Sequence, residues 1–230
     1  VNLDKPVTVK MFTMSSGLLD MQTYDLMVTS KAVFQSGEIL NGNVIVTGTG
    51  SVTFSGTVFT AKVRISSNSI FLNGSVFNDS LLITKKGKSN DMSKGGNTFN
   101  EPVVLIDSAE GSLVLADSVA DIFNSHLIVT NTSEGSVYLA HRAESSQFND
   151  DVYLNGSNIY SNYYGTANYD GNIIIDSPDG DIFFGVSGGS CTQIYGKKIS
   201  TPRNFISDGI LYLRNFTSLD SLSMFSLELK

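Results

Sequence analysis

The chain has 230 residues, a net charge of −7 and 41% apolar residues. A field of that sign repels phosphate backbones and anionic headgroups, which argues against nucleic acid as a partner, and no apolar run approaches the ~20 residues that membrane insertion as a helix needs. The lone cysteine, Cys191, excludes an intramolecular disulfide and a zinc site built from thiolates.

Taken in chain order, the first elements are short apolar pairs: Val7 with Val9, Leu18 with Leu19, Leu26 with Val28. From Leu40 onward one phrase recurs, a large lead residue followed by apolar residues four and six positions later. Leu40 leads Val44 and Val46, Phe59 leads Val63 and Ile65, and Phe77 leads Leu81 and Ile83. Phe99 leads Val103 and Leu105, Phe123 leads Leu127 and Val129, Phe148 leads Val152 and Leu154, and Tyr169 leads Ile173 and Ile175. A pair spaced by two residues is a strand showing two side chains to one face. Its return every 18 to 25 residues predicts stacked coils.

Within a coil the phrase continues. After Phe99 the chain turns at 107–110 and again at Gly111-Ser112, then offers Leu113 and Leu115; after Phe123 come Gly135-Ser136, Val137 and Leu139. The coil from Tyr169 repeats this with Gly180-Asp181, Ile182 and Phe184. A single coil cannot bury its apolar face alone, so neighbours must share it above and below. The expected fold is all-β, a right-handed single-stranded parallel β-helix of nine or ten coils with almost no helix. It spans 1–230 as one continuous unit, with irregular coils over 1–39, regular repeats over 40–190 and irregular coils over 191–230. In the last stretch only Ile210, Tyr212, Leu227 and Leu229 still alternate. The chain opens at Val1 without a leader, and neither end shows a capping helix, so a piece of a larger protein is expected, with flanking repeats as its neighbours.

Stacking puts Phe59, Phe77, Phe99, Phe123, Phe148 and Tyr169 in one interior column. The residue after the lead is usually asparagine (Asn41, Asn78, Asn100, Asn124, Asn149), with Thr60 and Asp170 as exceptions. Asparagine tolerates left-handed turns, and its amides bond one another along a stack. A structural ladder at a corner is the expected role.

Catalytic and metal chemistry finds little support. Asp150-Asp151 is the one adjacent acidic pair considered as acid and base, and a polar corner explains it as well. Lys62 and Arg64 share an outward strand face without a converging partner. His126 is expected in solvent, and His141 opens a polar loop. Lys85, Lys86 and Lys88 around Gly87 read as a solvated turn. Asp176, Asp179 and Asp181 resemble a calcium loop only loosely, because the D-x-D-x-D-G order is missing; no other cofactor is expected. Tyr160, Tyr163 and Tyr164 fall in the longest polar connection, where loop packing competes with stacking on sugar rings.

The repeats, seen best in GGNTFNEPVVLIDSAEGSLVLADSVADIFNSHLIVTNTSEGSVYLA over 95–140, resemble those of very large cell-surface proteins of Bacteroidetes, the gliding-motility adhesins of the SprB type. The resemblance is good over 95–190, looser over 40–94 and weak at both ends. It implies an extracellular, cell-surface filament exported by the type IX route, without catalysis. It further implies contacts with surface polysaccharide or the substratum and with the motility or secretion machinery. Asp-Ser-aliphatic triplets then resemble the O-glycosylation sequon of that phylum, at Ser80, Ser108, Ser118 and Ser221. A carbohydrate-active β-helix (lyase or tailspike) and an autotransporter stalk remain as alternatives.

Overall fold

Each coil contributes up to three strands, and each strand pairs in parallel with its counterpart one coil later. A computed structural model describes residues 1–176, 180–193, 198–201, 211–213 and 221–224. The first column of strands has nine paired levels. They are Leu18–Asp20, residues 37–40, residues 57–60, Val76–Phe77, Thr98–Phe99, Ile122–Phe123, Ser146–Phe148, Thr166–Tyr169 and Ser190–Gln193. Among the described residues, the nine levels of this column span eight turns of a parallel β-solenoid. The second column runs from residues 7–9 through Leu81–Lys85, Val103–Asp107, Leu127–Asn131 and Val152–Gly156 to Ser221–Met224. Among the described residues the only helical turn is Val186–Gly188.

The core is the set of inward positions that the repeat predicts. Val63, Ile65, Leu81, Ile83, Val103, Leu105, Leu127, Val129, Val152, Leu154, Ile173 and Ile175 are all buried. So are the second pairs, Leu113 with Leu115, Val137 with Leu139, and Ile182 with Phe184. In-register pairing stacks the aromatic rings face to face. Centroids are 5.1 Å apart for Phe59–Phe77, 5.3 Å for Phe77–Phe99, 4.5 Å for Phe99–Phe123, 5.0 Å for Phe123–Phe148 and 4.7 Å for Phe148–Tyr169. Tyr169 fits a column of phenylalanines because its hydroxyl meets the buried Ser161 hydroxyl. A shorter stack, Phe34 on Phe54 at 5.1 Å, meets the column edge-on at Phe59.

Two expectations need correction at the N-terminal side. The lead of the coil before Phe59 is Ile39, which pairs with it and is fully buried; Leu40 pairs with Thr60 and is only half-buried. A bulge causes the shift: Asn41 and Gly42 both take positive φ (59° and 57°), so one extra residue separates the lead from Val44. Leu18 is likewise outward and exposed, whereas Leu19 packs inward. At the other end Ile210, Leu227 and Leu229 lie outside the described residues, while Tyr212 pairs with Phe183.

The third column contains a seam. Residues 11–14, residues 31–34, Ser51–Ser55 and Ser69–Asn73 belong to the same sheet as the other columns. From Asp91–Met92 a separate six-stranded sheet begins, continuing through Leu113–Val114, Val137–Ala140, Ile159–Asn162, Ile182–Phe184 and Leu211–Leu213. Side chains stitch the junction. Ile70 N–H donates to Asp91 Oδ2 at 2.9 Å, Leu72 N–H to Ser93 Oγ at 3.0 Å, and Lys94 N–H to Asn73 Oδ1 at 2.8 Å. Beyond the seam the coils approach closely at their turns: a Cβ on Gly135 would collide with the carbonyl oxygens of Ala109 and Gly111.

Candidate functional site

Two buried polar files run beside the aromatic column at fixed offsets from it. Two residues before each lead stand Thr57, Ser75, Asn97, Asp121 and Ser146, all buried. Each upper side chain accepts the backbone N–H of the residue below. Thr57 N–H donates to Ser75 Oγ (3.2 Å), Ser75 N–H to Asn97 Oδ1 (3.0 Å), Asn97 N–H to Asp121 Oδ1 (2.8 Å) and Asp121 N–H to Ser146 Oγ (3.4 Å). These side chains satisfy backbone donors where the chain turns between columns. Burial pushes the Asp121 carboxyl up to about 7, against hydrogen bonds from Asn97 and the Ala116 backbone.

Eight residues after each lead stand Ser67, Lys85, Asp107, Asn131 and Gly156, paired level by level. Lys85 is fully buried, which corrects the expectation of a solvated basic turn; Lys86 and Lys88 are exposed. The Lys85 ammonium bonds Asp91 Oδ2 at 2.9 Å and the carbonyls of Asn68 and Gly87 at 3.1 and 3.2 Å. Burial also raises the Asp107 carboxyl to about 7, opposed by the Ala109 N–H and by Lys85.

The asparagine ladder forms on the outside corner. Asn100 Nδ2 donates to Asn78 Oδ1 at 2.6 Å, Asn124 to Asn100 at 2.7 Å, and Asn149 to Asn124 at 2.7 Å. Asn41 stands apart and bonds Asp20 instead. Asn124 both donates and accepts in this file, so Asn124→Ala is expected to lower stability by about 1–2 kcal/mol, at ~0.5–1.5 kcal/mol per hydrogen bond. Urea denaturation checks this against Asn43→Ala, a strand asparagine bonded to Asp25 and outside the ladder.

The other candidates separate into corners and one surface cluster. Asp151 Oδ1 caps Asn172, accepting its N–H and Nδ2 at 2.7 and 2.9 Å, while Asp150 Oδ1 takes the Asp151 N–H at 2.8 Å. That pair is a turn. Lys62 and Arg64 are exposed on neighbouring outward positions. His126 is half-buried beside Tyr153, not simply in solvent. Asp176 and Asp181 are half-buried and Asp179 lies outside the described residues. Among the described residues no group of three His, Cys, Asp or Glu side chains is placed to hold a metal ion. Ser108 and Ser118 are exposed, their hydroxyls on the Lys85 and Lys94 carbonyls, whereas Ser80 is half-buried against Asp79. Ser221 lies in a strand paired at Lys198.

The surface cluster joins residues from three successive coils. Tyr138, Tyr160 and Phe183 occupy one outward position of the third column and stack at 4.6 and 4.4 Å. Tyr163 meets Tyr138 and Tyr160 edge-on, and Tyr164, 52% exposed, flanks Tyr163. Asp117 Oδ1 holds His141 Nδ1 at 2.8 Å and accepts Arg142 Nη1 at 3.2 Å, and the Arg142 guanidinium lies 6.0 Å from the Tyr164 ring centre. Thus His141 has a carboxylate partner that adjacent sequence does not reveal: Asp117 is 24 residues back, one coil below. Comparison with protein-family models, curated proteins and solved structures finds no match to this chain.

Proposed function

We propose that this chain is a non-catalytic structural and adhesive segment of a secreted cell-surface filament. The observation that supports it best is the unbroken file of six stacked aromatic rings, with the four-asparagine ladder outside it. Both invest in contacts between coils, along the rod. The eight steps of the first column, at ~4.8 Å each, make the spacer at least about 38 Å long. The outward tyrosines around Tyr138, Tyr160, Tyr163 and Tyr164 give that rod amphipathic edges suited to weak, repeated contacts with a surface polysaccharide. Display on the cell surface by the type IX route, and service in gliding, follow from the resemblance of the repeats.

One observation favours a second reading, a carbohydrate-active enzyme. Asp117, His141 and Arg142 meet beside two tyrosines, and a uronate-cleaving enzyme needs a proton acceptor and a cation for the carboxylate. A single assay separates the two. The purified chain is incubated with a panel of acidic and neutral polysaccharides, reading retention and polymer length. Retention with unchanged length is expected; shortening of any polymer would transfer the function to the enzyme.

Sugar modification is a separate prediction. Protein isolated from its native host is expected to exceed the sequence mass by whole glycans at the exposed Ser108 and Ser118. The unmodified mass rules the glycans out.

A further inference from the structure

At the seam the backbone ladder is missing, and three ionisable side chains are shut away from water. Lys85, Asp91 and Asp107 are each 0% exposed. The Lys85 nitrogen lies 2.9 Å from Asp91 Oδ2. Asp91 Oδ2 also accepts the Ile70 N–H at 2.9 Å, and Oδ1 accepts the Ser89 hydroxyl at 3.1 Å. Asp107 pairs in register with Lys85 from the next strand, and its Oδ2 is buried with no hydrogen-bond partner. A nucleophilic amine, a carboxyl carbon and a second carboxyl group therefore share one buried corner of the fold.

We propose that Lys85 and Asp91 condense to an intramolecular amide, with Asp107 carrying the proton between the attacking nitrogen and the departing oxygen. The reaction begins with proton transfer from Nζ through the Asp107 carboxyl group to Asp91 Oδ1, which leaves Oδ2 unprotonated. The neutral amine then attacks Cγ of Asp91, forming the C–N bond. The Ile70 N–H stays on Oδ2 as negative charge gathers there, the role of an oxyanion donor. Asp107 takes a proton from the nitrogen and returns one to the leaving hydroxyl, so that the C–O bond breaks and one water departs. Asp107 ends as it began, protonated, and no oxidant or cofactor is consumed. Its pKa, raised to about 7 by burial, keeps it mostly protonated below neutral pH.

Position and chemistry agree. A buried ion pair adds little net stability, since taking two charges out of water offsets their attraction. The amide removes both charges and retains the carbonyl oxygen that stitches Ile70. It also fixes the Asp91 side chain, one of those that replace backbone pairing where the two sheets meet. This inference does not depend on the adhesive reading above.

Intact-mass measurement of the full, folded chain tests it. The expected mass is one water below the sequence mass, with fragmentation placing the loss between Lys85 and Asp91. Asp91→Asn is expected to lose ammonia instead, and Lys85→Arg is expected to show its full mass. Asp107→Asn, checked for folding by circular dichroism, is expected to retain its water or to lose it much more slowly. Full sequence mass in the folded wild-type chain overturns the proposal and leaves an ion pair only. So does a water loss mapped to an Asp-Gly step such as Asp170-Gly171, where a succinimide forms without Lys85. The wild-type measurement is decisive even where a variant does not fold.

Discussion

Replacing Phe123 with alanine is expected to lower the unfolding free energy by about 3–5 kcal/mol, the range for deleting a buried phenylalanine. Phe123 is 1% exposed and sits between Phe99 at 4.5 Å and Phe148 at 5.0 Å, so the change breaks two ring contacts and leaves a hole at the axis. Each such pair contributes ~0.5–1.5 kcal/mol beyond its buried area. The hole cannot close, because the strands on either side are held in register by their own ladders. Stacked repeats are coupled only to their neighbours. The loss therefore concentrates at one level, and the coils before and after it are expected to melt less cooperatively. Phe123→Leu refills most of the space and is expected to lose roughly half as much. Urea denaturation followed by circular dichroism gives both values. A loss below ~1 kcal/mol for the alanine variant would mean that the rings do not share one interior.

Stability is expected to fall as pH rises from about 4 to about 7. Asp107 and Asp121 titrate near 3.8 in an unfolded chain, and burial pushes both to about 7 in the fold. Between those values the folded chain holds protons that the unfolded chain has released, so raising the pH favours unfolding. Their contribution is most favourable below the unfolded value and levels off above the folded one. Each group gives a slope of at most ~1.4 kcal/mol per pH unit. The Ala109 N–H moderates the effect at Asp107, and hydrogen bonds from Asn97 and Ala116 moderate it at Asp121. Asp121→Asn keeps an oxygen for the Asn97 N–H and cannot ionise. It is expected to halve the slope and to raise stability at pH 8. Thermal melts at pH 4.5, 6 and 7.5 check this. A flat or rising profile, or an unchanged one in Asp121→Asn, contradicts it.

The regular coils were legible because their inward residues keep one offset from the lead, which is why the pairs from Phe59 to Tyr169 read correctly. The Ile39 coil misled because a bulge at Asn41-Gly42 adds a residue that no apolar spacing marks. The buried polar files do have a sequence signal: a polar residue stands two before every aromatic lead from Phe59 to Phe148. Four of these leads are also followed, eight residues on, by a polar side chain: Ser67, Lys85, Asp107 or Asn131. Lys85 misleads because a lysine followed by Lys86, Gly87 and Lys88 ordinarily seeks water. Its partner Asp107 becomes visible only once the coil length is known. The same holds for His141 and Asp117. The outward stack of Tyr138, Tyr160 and Phe183 was hidden for another reason. These residues follow turns of unequal length, so their distance from the lead varies from coil to coil.

The most direct test of parallel, in-register stacking is cysteine cross-linking along the asparagine ladder in a Cys191→Ser background. Asn100 and Asn124 are adjacent in that ladder, with backbones ~4.8 Å apart in a parallel pair. Asn100→Cys with Asn124→Cys is expected to form a disulfide under mild oxidation. Asn100→Cys with Asn149→Cys spans two levels, roughly 10 Å, beyond the ~7 Å reach of a disulfide, and is expected to remain reduced. Failure of the first pair, or equally fast closure of the second, contradicts the stacked solenoid.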